Sequence, residues 1–237
     1  MSAEIDNEVR SLVLNSEVAA IPRCFWSDAS QCDLNRLNRR KRICDIFLCF
    51  VAAPFILLIT VVIAIAIKCS SRGRVLFKQE RVGKDGCIFQ CYKFRTMHDR
   101  LSRPNNGIPN ITQEEDDRIF RVGQWLRFSN LDELPQIINV LKGEMSLVGP
   151  RPYMKNEDKH WERVFDDKSY ELRRSVRPGI TGLAQINGYR GGTLDVEHMR
   201  TRLMFDLLYI NSYHLRSDLV ILWKTLLSML KFDTGAH

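Results

Sequence analysis

The feature that most constrains this chain is an uncharged apolar run from Ile46 to Ile67, 22 residues long. As a straight helix rising about 1.5 Å per residue it would measure about 33 Å, enough to span the hydrocarbon core of a bilayer. The run begins too late in the chain, and behind too acidic a segment, to be a cleaved secretory signal. It therefore predicts a membrane-associated protein.

The flanks and the middle of this run favour a segment that enters the membrane and returns on the same side. Basic residues stand at both ends: Arg39, Arg40, Lys41 and Arg42 before it, and Lys68, Arg72 and Arg74 after it. Because basic flanks prefer the cytoplasmic side, both ends are expected there. Pro54 breaks or kinks a helix near the middle, and Asp45 is held more easily near the headgroups than in hydrocarbon. We predict a re-entrant helix that turns at Ala53-Pro54; a kinked helix that crosses once is the alternative.

A second apolar element stands near the C-terminus, in "SDLVILWKTLLSMLKF". Its apolar residues recur at helical spacing: Leu219, Leu222, Trp223, Leu226 and Leu230. With Lys224 and Lys231 it is too short and too charged to span, so it predicts a helix lying in the membrane interface, or a helix packed on the protein's own core. The chain thus divides into a polar tail (1–38), a membrane segment (39–72) and a soluble domain (73–237) that ends in this amphipathic helix.

Composition limits the class of protein and of partner. The 237 residues carry a net charge of +7 and are 45% hydrophobic, which excludes a disordered chain and favours a phosphate-bearing partner: nucleic acid, anionic lipid or nucleotide. Seven cysteines without a C-x-x-C pair predict neither a disulfide framework nor a thiolate metal site, so a reducing cytoplasmic setting fits best.

The soluble domain predicts a compact α+β fold with mixed helices and strands. The stretch "RVLFKQERVGKDGCIFQCYKFRTM" indicates two strands joined by a hairpin turn at 84–86. On the second strand Lys93 and Arg95 alternate onto the same face as Phe89 and Cys91. Two such cations repel unless water or an anion separates them, so this face is either a solvated edge or a phosphate-binding surface. The polar stretch 98–118 predicts a loop.

Two adjacent acids, Asp132 and Glu133, open the stretch "DELPQIINVLKG". Pro135 is tolerated only in the first turn of a helix, so a helix is expected to begin near Asp132, and Gly143 to end it. Apolar residues at i, i+3, i+4 and i+7 predict its buried face: Leu134, Ile137, Ile138 and Leu141. Capping the helix explains Asp132 in full, but the same position suits a nucleophile or a Mg²⁺ ligand, with Arg127 near enough to hold phosphate oxygens.

Two stretches farther along have the character of phosphate-binding loops. "GPRP" fixes a rigid backbone from which Arg151 projects, and "RPGITGLAQINGYRGG" has five glycines between Gly179 and Gly192, which allow close approach to a nucleotide. An ordinary loop remains the alternative for each.

From about Arg39 to its end the chain resembles the bacterial sugar transferases, the monotopic phosphoglycosyl transferases. The resemblance rests on the basic-flanked, proline-containing membrane segment, "KFRTM", "LRFSNLDELPQIINVLKGEMSLVGPRP" and "RPGITGLAQINGYRGG", in that order. It implies a two-step transfer of a sugar phosphate from a UDP-sugar to undecaprenyl phosphate, with release of UMP.

The same resemblance assigns roles to residues. It implies that Asp132 attacks the sugar-bearing phosphorus and carries the phosphosugar, that Glu133 assists a metal or orients Asp132, and that Mg²⁺, held by these two acids, neutralises the diphosphate. It implies substrate or phosphate contacts at Lys93, Arg95, Arg127, Arg151, Arg177, Gly179, Gln185 and Arg190. It also implies a re-entrant helix broken at Pro54, with the catalytic domain on the cytoplasmic face of the bacterial inner membrane.

The tail from Gly188 onward is similar to family members that transfer glucose 1-phosphate to begin exopolysaccharide synthesis. UDP-glucose is therefore the expected donor and UDP-galactose the alternative; membrane lipids and the glycosyltransferases that extend the product are expected partners, and a homodimer is left open. A non-enzymatic protein that binds anionic lipid is the rival class. Nucleic acid is not expected, because no exposed stripe of basic and aromatic residues occurs.

Overall fold

The computed structural model describes residues 31–98, 116–165, 167–192 and 195–230. Residues 1–30 of the predicted tail and most of the predicted loop 98–118 lie outside them. The described residues from Arg39 onward form one compact unit. Mixed helices and strands in this unit agree with the predicted α+β class.

The elements are named here in chain order. They are α1 (Gln31–Ser70), β1 (Leu76–Val82), β2 (Ile88–Phe94), α2 (Arg121–Phe128), the 3-10 helix Leu131–Gln136, α3 (Ile137–Lys142), β3 (Ser146–Val148), α4 (Lys155–Val164), α5 (Asp167–Arg174), β4 (Gly179–Thr181), α6 (Leu183–Ile186), α7 (Val196–Asn211) and α8 (Leu215–Leu230). A 3-10 turn at Lys84–Gly86 joins β1 to β2.

Helix α1 contains the apolar run. Its part Arg39–Ser70 is long and apolar enough to cross a membrane by length and composition. Large apolar side chains in its middle are exposed, among them Phe50, Phe55 and Leu58. The helix continues through Pro54, which lies inside it. Because no break is seen at Pro54, the re-entrant turn at Ala53-Pro54 stays a prediction. The long apolar helix itself agrees with the predicted membrane association.

Both ends of this apolar segment are fastened to the soluble domain. Before it, Lys41 pairs with Asp218 at 2.6 Å, and Asp45 accepts a hydrogen bond of 2.8 Å from Ser146. After it, the guanidinium of Arg95 donates to the carbonyl oxygen of Ser71 at 2.8 Å. A straight helix from residue 41 to residue 71 would be about 45 Å long. One folded domain thus holds the segment before and after its exposed middle.

The predicted hairpin is confirmed. Strands β1 and β2 pair antiparallel, with Val82 opposite Ile88 at the turn. Asp85 and Gly86 both have positive φ angles (53° and 76°), and the N–H of Cys87 donates to the carbonyl of Lys84 at 3.0 Å. The N–H of Gly83 also donates to the carbonyl of Cys87 at 2.8 Å, so the three residues 84–86 form the hairpin loop.

A second, parallel pair of short strands brings the two predicted loops together. Strand β3 leads into "GPRP" and β4 into the glycine-rich stretch, with Val148 opposite Thr181. The backbones approach so closely that a Cβ on Gly179 would lie 2.1 Å from the nitrogen of Gly149. A Cβ on Gly149 would lie 2.6 Å from the carbonyl oxygen of Arg177. These glycines are needed for packing between strands.

The C-terminal helix α8 combines the two alternatives considered for it. Ile221 is buried in a core that α7 and α4 share. On the other side of α8, Leu219, Trp223 and Leu226 are exposed at spacings of four and three residues. One face of the helix therefore packs on the domain, and an apolar face remains open to solvent or lipid.

We expect Gly179→Ala to lower the free energy of unfolding by about 3 kcal/mol, because the added methyl group overlaps backbone that cannot move aside cheaply. Gly188→Ala is the matched control: Gly188 has open space around it and only a φ of 91° to strain, so a loss of about 1 kcal/mol is expected. Thermal melting of both variants in the same detergent measures the difference. Equal losses would contradict the close strand approach.

Candidate active site

The acidic pair lies at the start of a helical segment, as predicted, although its first six residues form a 3-10 helix. The helix Leu131–Gln136 begins after Asn130, which adopts a left-handed conformation (φ 56°), and α3 follows only at Ile137. Asp132 is the second residue of the 3-10 helix and not its N-cap, so the capping interpretation is wrong. Asn130 accepts the left-handed conformation more readily than most residues. The helical segment therefore begins at Leu131, one residue before Asp132. Gly143 ends α3 with φ 87°, as predicted.

The predicted apolar face of this segment is confirmed for two of its four residues and wrong for the other two. Ile138 and Leu141 are exposed, whereas Val140 and Asn139 are fully buried. The amide of Asn139 accepts a hydrogen bond from the backbone N–H of Tyr92 at 3.0 Å and donates to the carbonyl of Gln90 at 2.7 Å. Because this side chain satisfies backbone groups of β2, the face that contains it turns inward. Leu134 and Ile137 of the predicted face still pack, partly buried, against the core, whereas Ile138 and Leu141 turn outward.

Glu133 is the centre of a buried ion-pair triad. Its carboxylate accepts a hydrogen bond of 2.6 Å from Lys93 and two, of 2.9 and 3.3 Å, from the guanidinium of Arg151. Burial opposes ionisation of Glu133, but Arg151 and Lys93 outweigh it and hold the pKa well below its usual range. Both oxygens of Glu133 are therefore occupied by cations.

Asp132 stands beside this triad in the opposite electrostatic situation. Its side chain is only 13% exposed, and its nearest cation is the ammonium of Lys93 at 4.0 Å. Burial, reinforced by the charge of Glu133, raises the pKa of Asp132 to about 6, against the lowering effect of Lys93 and Arg127. Two adjacent carboxylates thus differ in environment: Glu133 is bound closely by two cations, and Asp132 is buried with a raised pKa.

Four of the predicted cations surround this pair. Besides Lys93 and Arg151, the Nε of Arg127 donates to the hydroxyl of Thr96 at 2.8 Å, and burial lowers the pKa of Arg127, against the charge of Asp132. Arg190 lies within electrostatic reach of Arg151 and Glu133, and burial also lowers its pKa. The arrangement concentrates positive charge where an anion would meet Asp132.

Arg95 and Arg177 are placed differently from the prediction. Arg95 is buried, and its guanidinium donates to Ser71 and to the carbonyl of Arg72, so it holds the end of α1; its predicted contact with phosphate stays a prediction. The alternation on β2 ends because Phe94 and Arg95 are both buried. The Nε of Arg177 donates to the carbonyl of Gly143 at 3.0 Å, at the C-terminus of α3, where a cation is stabilising.

The glycine-rich stretch contributes through Gln185 and Arg190, while Gly179 serves the strand packing. The Nε of Arg190 donates to the backbone carbonyl of Gln185 at 2.7 Å. The side-chain amide of Gln185 donates to the carbonyl of Ile180 at 3.0 Å, which fixes its orientation. Its Oε1 is buried, and no hydrogen-bond partner for it is found among the described residues.

Sequence reasoning missed the residues that hold the "GPRP" loop. The guanidinium of Arg81 donates to the carbonyl of Pro152 at 2.8 Å, and that of Arg173 to the carbonyl of Arg151. Neither arginine stands in a recognisable motif. The helix that carries the partner of Arg173, α7, mixes charged residues (Glu197, Arg200, Arg202 and Asp206) with apolar ones and gave no signal.

The fit of the predicted Mg²⁺ to these residues is partial. No group of three or more His, Cys, Asp or Glu side chains suited to a metal occurs within the described ranges. Glu133 does not fit as a ligand, because both of its oxygens are bound by cations. Asp132 fits, since Mg²⁺ is commonly held by one or two carboxylates together with substrate phosphate oxygens.

Comparison with known proteins identifies what the chain is similar to. The family model described as bacterial sugar transferase matches residues 36–232. A UDP-glucose:undecaprenyl-phosphate glucose-1-phosphate transferase of Caulobacter vibrioides is 43% identical over 84% of this chain and 73% of its own length. An exopolysaccharide production protein PSS of Rhizobium leguminosarum bv. phaseoli is 41% identical over 82% of this chain and 97% of its own length.

An undecaprenyl-phosphate galactose phosphotransferase of Salmonella typhimurium is 36% identical over 82% of this chain. The chain covers only 40% of that protein, and it likewise spans less than half the length of several glucose-1-phosphate transferase relatives. The matched region thus stands alone in some relatives and as part of a longer chain in others.

The contrast between the two acids predicts opposite effects of the same substitution on stability. The pKa of Asp132 is higher in the folded than in the unfolded protein, so its contribution to stability is present below about pH 4 and lost as the pH rises through about 6. Asp132→Asn is expected to raise the free energy of unfolding at pH 8 by about 1 to 3 kcal/mol. This gain should shrink at pH 5.

Glu133→Gln is the matched comparison. It leaves Lys93 and Arg151 without their counter-charge, and we expect a loss of about 3 kcal/mol at pH 8. Melting curves of both variants at pH 5 and pH 8 check the pair. A loss of stability at pH 8 in Asp132→Asn would show that the charge placement described here is wrong.

Proposed function

The chain belongs to the bacterial sugar transferase family, and on that premise we propose that it transfers glucose 1-phosphate from UDP-glucose to undecaprenyl phosphate. The observation that carries this proposal is the division between the two acids: Glu133 is neutralised by Lys93 and Arg151 at 2.6 to 2.9 Å, while the buried Asp132 has its ion-pair partner, Lys93, only at 4.0 Å. That arrangement suits a nucleophile that must meet a negatively charged substrate.

In the first step a carboxylate oxygen of Asp132 attacks the sugar-bearing β-phosphorus of the UDP-sugar. The bond from that phosphorus to the oxygen bridging to the α-phosphorus breaks, and UMP leaves with the bridging oxygen and its electron pair. The phosphosugar is then carried on Asp132 as an acyl phosphate. Lys93, Arg127, Arg151 and Arg190 offset the charge on the diphosphate, and the raised pKa of Asp132 makes its carboxylate the better nucleophile.

In the second step an oxygen of the polyprenyl phosphate attacks the same phosphorus. The bond to Asp132 breaks, the carboxylate is restored, and the product is a polyprenyl diphosphate sugar. An acyl phosphate is reactive enough to be discharged by a phosphate nucleophile. Mg²⁺, when held by Asp132 and diphosphate oxygens, would supply further charge neutralisation.

The choice of glucose rests on the names of relatives. The Caulobacter relative is named for glucose 1-phosphate transfer, and the Rhizobium protein for exopolysaccharide production, so we place the product at the start of a lipid-linked surface glycan. UDP-galactose is the second candidate donor, because the Salmonella relative is named for galactose. A purely lipid-binding protein is disfavoured, since lipid binding gives no reason for a buried acid with a raised pKa.

We place the catalytic domain on the cytoplasmic face of the inner membrane, with the apolar part of α1 re-entrant at Pro54. The fastening of both ends of this segment to one domain supports the placement, because a single crossing would put those ends on opposite faces. The exposed apolar face of α8, with Trp223 at its centre, supports contact with the same membrane surface.

Asp132→Asn is expected to lower UMP release from UDP-glucose and undecaprenyl phosphate at least about a thousandfold, since an amide oxygen cannot form the acyl phosphate. In the wild-type protein the rate should fall about tenfold per pH unit below pH 6, as Asp132 becomes protonated. A coupled assay for UMP measures both. Equal UMP release by the wild type and Asp132→Asn would refute the assignment of the nucleophile.

For the membrane topology, single cysteines at Arg40→Cys and Arg72→Cys, in a chain whose own cysteines are replaced, are expected to react from the same side. Arg40 and Arg72 are both exposed. In inverted inner-membrane vesicles a membrane-impermeant maleimide should label both sites. Labelling of one site in inverted vesicles and of the other only in intact spheroplasts would establish a spanning helix.

A further inference from the structure

The loop that presents Arg151 is held at four consecutive carbonyl groups. These are the carbonyls of residues 150–153, which follow β3. Their donors, in order, are the N–H of Gly179, the guanidinium of Arg173, the guanidinium of Arg81 and the N–H of Val82. The donors belong to three separate elements, β1, α5 and β4, so the loop has little freedom to shift.

Arg173 is the donor whose own position is set by a charge. Its Nε donates to the carboxylate of Asp206 at 2.8 Å, and both side chains are buried. Its guanidinium also lies over the ring of Tyr153, 3.9 Å from the centroid. The guanidinium of Arg173 thus bridges Asp206, through Nε, and the carbonyl of Arg151, through Nη2. The carboxylate on α7 fixes the direction in which the fork reaches that loop.

The same helix holds the second arginine-bearing loop. Arg202, one turn before Asp206 on α7, is almost fully buried, and its Nε donates to the carbonyl of Tyr189 at 3.0 Å. Its Nη2 donates to the carbonyl of Gly191 at 2.8 Å. These two carbonyls lie on either side of Arg190. Residues four apart on a helix share a face, so one face of α7 supports both loops.

We propose that Asp206 and Arg202 are positioning residues for the transfer: through Arg173 and through the carbonyls flanking Arg190, they fix where Arg151 and Arg190 present their guanidinium groups to the donor's diphosphate. This inference rests on the proposed function. The hydrogen bonds and ion pairs described for Asp206 and Arg202 do not include Asp132 or Glu133, so the two residues act on the site through the arginine loops.

The reason such support matters is geometric. A charged donor stabilises a transition state only when it is held where the charge develops, and a displacement of about 1 Å can cost about a hundredfold in rate. Burying an ion pair such as Arg173–Asp206 is no general gain in stability, because desolvation offsets most of the attraction. An ion pair with a fixed direction supplies what an apolar contact cannot, namely the orientation of a donor.

The test compares Asp206→Asn with a matched buried carboxylate. Asp158 is also buried, and it pairs with Arg174 and the hydroxyl of Tyr170 on the same helix α5, next to Arg173. Both variants are expected to lower the melting temperature. Only Asp206→Asn is expected to lower kcat for UMP release, by about ten- to a hundredfold, whereas Asp158→Asn should keep kcat within about twofold of the wild type.

A double-mutant cycle separates positioning from general structural support. In an Arg151→Lys background, Asp206→Asn should cost less than about threefold, because the group it positions has been replaced. The affinity for UDP-glucose, measured by calorimetry, gives the same cycle where turnover is too slow. Arg173→Lys, which keeps the charge but loses the fork, should reproduce the loss and replaces Asp206→Asn if that variant does not fold. Arg202→Lys should likewise lower kcat in the wild type but not in an Arg190→Lys background.

The outcomes are distinguishable. A wild-type protein that releases no UMP from any UDP-sugar refutes the proposed function itself. An active wild type whose Asp206→Asn variant keeps full kcat, or loses as much in the Arg151→Lys background as in the wild type, overturns the positioning role alone.

Discussion

The ion-pair triad of Lys93, Glu133 and Arg151 is the interaction on which the rest of the site depends. It joins three segments that are distant in the sequence: strand β2, the 3-10 helix and the loop after β3. A buried carboxylate without counter-charge is costly, so the fold is stable only when all three segments meet. Because Glu133 binds both cations closely, Asp132 is the acid whose charge is less well compensated, with Lys93 at 4.0 Å. The chemistry of the site is thus a consequence of how charge is distributed during folding.

Several local features could be predicted because they depend on short-range backbone chemistry. The Asp85-Gly86 turn and the end of α3 at Gly143 both need positive φ angles, which the sequence marks with the residues that accept them. The acidic pair and the basic loops were found by motif, and the structure brings four of the cations to them.

The errors share a cause, which is that periodicity does not say what each face will meet. The stripe containing Ile138 and Leu141 reads as a core face, but the amide of Asn139 satisfies backbone groups of β2 and takes the inner side. In a protein that works against lipid, exposed apolar residues are no anomaly, so the usual rule fails there. Arg95 was expected on the same face as Lys93, but the alternation of side chains stops at Phe94, where β2 ends. The contacts of Arg173 with Asp206 could not be foreseen at all, since they join helices through space without a motif.

The double fastening of α1 also bears on how the enzyme finds its lipid acceptor. With the apolar segment in the bilayer and both of its ends bound to the domain, the domain would not tumble relative to the membrane plane. Asp132 would then keep a constant distance from the membrane and a constant orientation. On the proposed function, an acceptor confined to the same leaflet would reach Asp132 by lateral diffusion in two dimensions. The soluble nucleotide sugar must still arrive from three-dimensional solution, so the two substrates approach one aspartate by physically different searches.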